Sequence, residues 1–232
     1  MKTVLLLLIL VQAVLPLGAE EDFLRGSVVK SDKWKMDRVH DREIFEGNVS
    51  FRNPRYTLKA DYALYLRPVQ TWNITGSVYI LRRFDDRSQV VVDCDTALYN
   101  EKLEEATLGR GALPVRMSYT GADGRVLRGR ADKTFAENKK GLMKFEGNFS
   151  LSTENLDMYS QKGLYDNKEG TFLMYESTPL AVGNRQGFDF AINAEKIKFF
   201  SASRDLKFYN RVTGWVKDVA GSVKPAAAKT KN

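Results

Sequence analysis

Few side chains in this sequence have the types and spacing that catalysis or metal binding requires. His40 is the only histidine and Cys94 the only cysteine, so a histidine-based metal site, a Ser-His-Asp triad and an intrachain disulfide all lack partners. Asp93 and Asp95 form the most suggestive carboxylate pair, and a parallel β-helix enzyme acting on polysaccharides would use such acids. Acids on the outward face of a strand are normally solvated. The sequence therefore predicts no enzyme, no metal site and no cofactor, with a carbohydrate-active β-helix protein as an alternative.

The elements that would position a site follow an internal repeat. Residues 43–65 return one hundred positions later, with Phe-Glu-Gly-Asn, a serine and a final Leu-Tyr at matching places. Shorter echoes end on aromatic residues spaced 30 to 36 positions apart, so the unit is about a third of that offset. These closing aromatics are Tyr65, Tyr99, Phe135, Tyr165 and Phe199. A fixed period of this length indicates stacked supersecondary units, each unable to bury its apolar face alone.

Each unit alternates apolar and polar residues with a period of two, which is typical of half-buried strands. Turn-forming residues separate the two strands of a unit, as at residues 53–55, 85–88 and 153–155. Gly-Asn and Gly-Ser pairs, such as Gly47-Asn48, are predicted to form the turns between units. Helix signals are nearly absent. The sequence therefore predicts an all-β stack of hairpins.

The same alternation predicts which side chains face the interior of the stack. We expect an inward orientation for Val49, Phe51, Leu58, Leu64, Val78, Ile80, Val92, Leu98, Phe149, Leu151, Leu156, Met158, Leu164, Phe172 and Phe190. Lys196 and Lys198 fall where apolar residues are expected, which predicts either a bulge or a more open mouth in the fifth unit. Cys94 follows the apolar phase and is expected to be a small buried hydrophobe.

The two ends of the chain differ from this repeating body. Residues 1–19 combine Lys2, an apolar run and a small-residue site at Ala19, which predicts a secretory signal peptide cleaved after Ala19. Residues 20–219 are predicted to be one folded domain, and residues 220–232 a disordered basic tail. The alternative at the N-terminus is an uncleaved membrane anchor.

The net charge of the chain is modestly basic, +7 at pH 7, and part of it belongs to the three lysines of the tail. This excess is too small to argue for nucleic acid as a partner. A basic surface would suit an anionic partner such as a phosphorylated lipid or a membrane face.

Two segments carry a resemblance to a known family. Gly47-Asn48-Val49 followed by residues 58–65, Leu-Lys-Ala-Asp-Tyr-Ala-Leu-Tyr, and the second-unit echo at residues 94–99 resemble the repeats of the OstA-like, LptA-type family of periplasmic lipopolysaccharide-transport proteins. The resemblance implies an OstA-like β-jellyroll, a V-shaped stack of antiparallel hairpins with two facing sheets. It also implies a carrier that shields the acyl chains of lipid A on their way from the inner to the outer membrane.

The resemblance extends to partners. It implies lipopolysaccharide as ligand, related jellyroll domains of the inner- and outer-membrane transport complexes, and a possible head-to-tail homo-oligomer through the unpaired edge strands. The candidate edges are Phe23–Val29 and Leu206–Val212. If the N-terminal run is retained, an LptC-like scaffold anchored in the inner membrane becomes the alternative.

Overall fold

The structure, a computed structural model, describes residues 28–218, and within this range almost all regular structure is antiparallel β-strand. Its strands are β1 (Val28–Lys30), β2 (Lys33–Asp37), β3 (Arg42–Arg52), β4 (Tyr56–Leu66), β5 (Thr71–Arg83), β6 (Gln89–Asn100), β7 (Glu105–Gly109), β8 (Val115–Thr120), β9 (Val126–Ala131), β10 (Lys133–Glu137), β11 (Leu142–Ser152), β12 (Leu156–Asp166), β13 (Thr171–Tyr175), β14 (Leu180–Arg185), β15 (Phe188–Asn193), β16 (Lys196–Phe200), β17 (Leu206–Tyr209) and β18 (Thr213–Asp218). A single 3-10 turn, Arg67–Val69, connects β4 to β5. The predicted signal peptide, the predicted tail and most of the predicted edge Phe23–Val29 lie outside the described residues.

The described strands form one continuous 18-stranded ladder in which each long strand bends near its middle. Some bent strands are continuous, such as β3 and β6, whereas others are interrupted at the bend and count as two, such as β7 with β8. The bends divide the ladder into two layers. The first layer contains β2, β7, β10, β13, β16 and β17 with residues 42–46, 62–66, 71–75, 96–100, 142–146 and 162–166. The second layer contains the remaining halves, including β1, β8, β9, β14, β15 and β18.

The two layers face each other across a shared interior. Phe51 of the second layer packs edge-on against Trp72 of the first, with ring centroids 5.3 Å apart, although the two residues are not neighbours in the ladder. At the other end of the molecule, Arg185 of β14 reaches Asp205 in the loop between β16 and β17, at 3.0 Å. The predicted all-β jellyroll, a folded stack of antiparallel hairpins with two facing sheets, is thereby confirmed.

The bends explain the Gly-Asn pairs, and here the sequence prediction was wrong. Gly47-Asn48 lies inside β3, not between units, and both residues have positive φ, 70° and 48°. They form a bulge in which two residues oppose one on the neighbouring strand. The Asn48 side chain donates to Asp32 Oδ2 at 2.9 Å, and a methyl group on Gly47 would lie 2.4 Å from that oxygen.

The same corner recurs one hundred residues later. Asn148 donates to Asp132 Oδ2 at 2.7 Å, and a methyl group on Gly147 would lie 2.5 Å from it. In the second unit Asp61 lies equally close to Gly76. The repeat therefore encodes a corner in which a carboxylate from one strand occupies the space left by a glycine on the next.

The predicted hairpin turns within the units are confirmed. The three predicted hairpin turns connect β3 to β4, β5 to β6 and β11 to β12. In the fifth unit the ladder breaks between β15 and β16, and Lys196 and Lys198 lie on the outer face of the first layer. All six residues of the last described strand, β18, are exposed, and Trp215 is 53% exposed.

Candidate functional site

The interior between the layers is lined by apolar rows that cross the ladder from strand to strand. In the first layer one such row contains Trp34, Phe45, Ala63, Ile74, Ala97, Leu108, Thr134, Phe145, Gly163, Met174, Ile197 and Phe208. In the second layer the facing row contains Val29, Phe51, Leu58, Ile80, Val92, Met117, Gly129, Leu151, Met158, Ala181 and Ile192. These rows join two apolar clusters, one in each half of the stack, and Met117 packs against both.

The mouth of the molecule is the side on which the strand ends of the two layers, away from the bends, face each other. Aromatic stacking reinforces the first layer near this mouth. Tyr65 stacks on Trp72 with centroids 4.5 Å apart, and both side chains donate hydrogen bonds to the Glu101 carboxylate, at 2.9 and 2.8 Å. The rings of Tyr165 and Phe172 lie at the same ladder level in the second half, 4.4 Å apart. Burial raises the pKa of Tyr165 well above its ordinary value, so the phenol stays neutral at physiological pH.

The two halves of the mouth differ in how their tips are held. In the second half Arg185 bonds Asp205 and the carbonyl oxygen of Arg204, which ties β14 to the opposite layer. Arg204 also lies near Tyr119 and Asp123, and its partial burial lowers its pKa. In the first half the side chains that pack against the core are only partly buried; they are Tyr65, Ile80, Val90 and Tyr99. The mouth is thus bridged by charged side chains at the end formed by β14 to β17.

The interior itself is filled by side chains. Five of these side chains are at most 2% exposed: Phe149, Leu151, Met158, Met174 and Ile197. The Phe149 ring lies where a side chain at residue 163 would be, since a methyl group on that glycine would approach it to 2.3 Å. Among the cavities of the described surface, two of about 520 Å³ are lined mostly by outward-facing residues. A guest in the interior would therefore require the layers to separate.

Most of the predicted interior residues do face inward. Val49, Phe51, Leu58, Val78, Val92, Phe149, Leu151, Met158 and Phe172 are buried, and Ile80, Leu156 and Phe190 are half-buried and packed against the core. Cys94 is buried as expected, and burial raises the pKa of its thiol to about 12.

Three predicted interior residues, Leu64, Leu98 and Leu164, lie on the outer face of the first layer, so their assignment was wrong. Leu98 is 48% exposed and pairs with outward Asn73 and Thr107. The cause is the corner. One residue at each bend belongs to neither layer's alternation, and a one-residue shift moves every following side chain to the other face. Tyr65, Tyr99 and Tyr165 take the inward positions instead.

Sequence reasoning missed much of the first layer's interior for the same reason. The omitted residues include Phe45, Trp72, Ile74, Phe145, Met174, Ile197 and Phe199, all buried. The signal that could have found them is the Ala-Asp step in the motif, because the aspartate marks the corner at which the inward phase resets.

The polar candidates are dispersed. His40 is in the exposed turn after β2, where its Nδ1 lies 2.9 Å from Asp37 Oδ2; this contact, followed by Arg42, holds the pKa of Asp37 well below its usual range. Asp93 faces outward, while Asp95 lies at a corner against Gly111. No group of potential metal ligands occurs in residues 28–218. The antiparallel ladder also differs from the parallel β-helix of the alternative proposal.

Comparison with known proteins adds one finding. No family model matches the sequence, and no curated protein matches it. A solved structure titled LptH, the LptA homologous periplasmic component of the conserved lipopolysaccharide transport device from Pseudomonas aeruginosa, aligns with a TM-score of 0.32 and 9% identity, over 82% of this chain and 94% of that one. Within the described residues no helix is long and apolar enough to cross a bilayer. The fold assigned above rests on the strand ladder of this chain and not on that alignment.

Proposed function

We propose that this chain is a periplasmic lipopolysaccharide-binding transport protein that shields the acyl chains of lipid A between its two layers. The observation that supports this proposal is the apolar lining, which continues across the ladder from β2 to β17 in the first layer and from β1 to β15 in the second. At β2, the first strand of the first layer, it reaches the surface, where Trp34 stacks on Phe45 yet remains 62% exposed. A core that only held the fold together would end under a polar edge.

Acyl chains gain about 0.8 kcal/mol for each CH₂ removed from water. Since side chains fill the interior, this gain must offset the separation of the layers. Separation leaves the backbone ladder intact within each layer, because strands such as β3 and β6 continue through their corners and keep their neighbours on both sides of the bend. Among the described residues, the first half of the mouth has no counterpart of the Arg185–Asp205 bridge in the second half, and it is where we expect the layers to open.

Two further features suit a lipid guest. The Thr134 hydroxyl is buried in the first-layer row, and no described residue bonds it, so it can donate to an ester or amide carbonyl of an acyl chain. Phosphates and sugars would remain outside the layers, near lysine and arginine. The exposed end strands would pair with related jellyroll domains or with a second copy in a head-to-tail homo-oligomer.

Photo-crosslinking tests this proposal. A photoreactive residue at Leu58 or Met158, both inward, is expected to capture labelled lipopolysaccharide. The same group at Leu98 or Leu164, which face outward on the same repeat, is the matched control and should capture little. Equal labelling at all four positions, or labelling of the outward pair alone, would contradict a ligand between the layers.

Export is the second part of the proposal. Sequencing the N-terminus of the mature protein is expected to find Glu20 as the first residue, after cleavage at Ala19. Retention of residues 1–19 would instead favour the membrane-anchored, LptC-like scaffold.

A further inference from the structure

The outer face of the second layer carries an unusual cluster of arginines. Arg116 on β8 and Arg130 on β9 lie directly opposite each other in the ladder, and Arg128 follows two residues from Arg130 on the same face. All three are exposed, and none forms an ion pair with any residue between 28 and 218. Asp93 is the ladder neighbour of Arg116 on its other side without pairing with it. Like charges directly opposite in a sheet are destabilising, so folding alone does not favour this arrangement.

A second group of cations lies on the same face, toward the N-terminal end. Arg52, Lys59 and Arg83 border a groove of about 520 Å³ whose floor includes Leu81 and whose wall includes Tyr79. The Lys59 ammonium lies 5.8 Å from the centre of the Tyr79 ring. Leu81 faces outward beside these cations in the groove, yet it is only 8% exposed.

The outer face of the first layer is also rich in lysine, and three of those lysines are neutralised by ion pairs. Lys144 pairs with Glu137 at 2.9 Å, Lys162 with Glu176 at 2.9 Å, and Lys198 with Glu169 at 2.6 Å. Lys35, Lys133 and Lys196 on the same face form no ion pair with a described residue, so the two faces differ in the type of cation and in its placement. The second layer presents guanidinium groups, and Arg116 and Arg130 lie directly opposite each other without an ion pair in the described part of the chain.

Exposed apolar and aromatic side chains extend this cationic face. Tyr159, Val182 and Trp215 point outward from β12, β14 and β18, and they are 47%, 38% and 53% exposed. Tyrosine and tryptophan are enriched where proteins meet the headgroup region of membranes, since one end of each ring is apolar and the other polar. A face that combines unpaired cations with exposed tyrosine and tryptophan matches the surface of a lipid bilayer, because that surface has both charged headgroups and apolar chains.

We propose that the outer face of the second layer docks on an anionic phospholipid bilayer, with its arginines bonded to headgroup phosphates. The planar guanidinium forms two parallel hydrogen bonds to a phosphate, and binding would relieve the repulsion between Arg116 and Arg130. The aromatic residues would enter the interface beside them. This docking uses the surface opposite to the interior, so it does not depend on the proposed cargo.

The test is co-sedimentation of the exported protein with vesicles of phosphatidylcholine, with and without phosphatidylglycerol. We expect binding only to the anionic vesicles, weakened by salt. The triple variant R116Q/R128Q/R130Q should bind about 100-fold more weakly, because each basic residue near such a surface contributes roughly fivefold in affinity. The variant K35Q/K133Q/K196Q removes the same charge from the outer face of the first layer and should retain binding within about threefold.

Several outcomes would overturn the inference: equal loss in the two triple variants, binding to neutral vesicles alone, or binding to single-stranded nucleic acid or polyphosphate without binding to vesicles. Circular dichroism and thermal melting of both variants establish that they are folded; removing the opposed arginines should leave stability unchanged or raise it. The Met158 crosslink to lipopolysaccharide should persist in R116Q/R128Q/R130Q, which separates failure of the docking face from failure of the proposed cargo site.

Discussion

Replacing two leucines that sequence alternation treats alike tests the corner geometry. Leu58 is 2% exposed and faces the interior, whereas Leu98 is 48% exposed and lies on the outer face. Leu58→Ala removes apolar burial and leaves a cavity in a packed interior, which typically costs 2 to 5 kcal/mol, so we expect a loss of about 3 kcal/mol in the free energy of unfolding. Leu98→Ala removes partly solvated surface and should cost less than about 1 kcal/mol.

Urea denaturation followed by circular dichroism and by tryptophan fluorescence measures both free energies, provided that the two probes coincide. In a thermal scan the interior variant should lose about 6 to 12 °C in Tm and the outer variant no more than about 4 °C, since 1 kcal/mol corresponds to roughly 2 to 4 °C for a domain of this size. Equal losses, within about 0.5 kcal/mol, would refute the phase shift at the corners.

Three further predictions follow from particular contacts. Gly147→Ala should destabilise the protein by more than Gly124→Ala. Both glycines have positive φ, 76° and 78°, but only Gly147 has a side-chain oxygen where the methyl group would lie. Comparing the unfolding free energies of the two variants separates that clash from the backbone strain, and equal costs would argue against the corner. Cys94 should resist a thiol reagent at pH 8 in the folded protein and react once urea unfolds it, because burial raises its pKa to about 12; fast labelling without urea would show that the interior is open. Hydrogen bonds from Ser203 and Arg185 lower the pKa of Asp205. The contribution of Asp205 to stability is therefore present above the ordinary carboxyl pKa of about 4 and is lost as pH falls below it. Asp205→Asn should reduce the decline of the unfolding free energy at acid pH, and an unchanged decline would contradict the pairing.

The sequence was sufficient to predict the hairpins and their stacking because both depend on local information. Period-two alternation and the turn residues at 53–55, 85–88 and 153–155 specify strands and turns without reference to distant residues. The one-hundred-residue echo then requires the units to stack. The break in the fifth unit was also visible, since Lys196 and Lys198 cannot face an apolar interior.

The corners were not predicted because their meaning depends on two strands at once. Gly147 with Asn148 looks like a turn when taken alone, and only the neighbouring Asp132 shows that the pair forms a bulge within a strand. A single missed corner reverses the faces of all later residues in that strand. This accounts for Leu164 being assigned inward while Tyr165 was omitted.

The docking face was equally inaccessible to sequence reasoning. The overall charge of +7 does not distinguish lysines that are paired on the first layer from arginines that are unpaired on the second. Arg116 and Arg130 are 14 positions apart in the chain, and their opposition depends on the register of the hairpin that joins β8 to β9.

The most direct test of the central claim measures whether the layers separate when lipid binds. Lys102 and Arg87 lie in exposed turns at the two ends of the bent strand β6, one at the tip of each layer. Nitroxide labels at these two positions, in a Cys94→Ala background, report the distance across the first half of the mouth by pulsed electron resonance. The account predicts that added lipopolysaccharide lengthens this distance, while a soluble sugar fragment without acyl chains leaves it unchanged. Tight binding of lipopolysaccharide with no change in the distance would contradict an interior that opens to receive acyl chains.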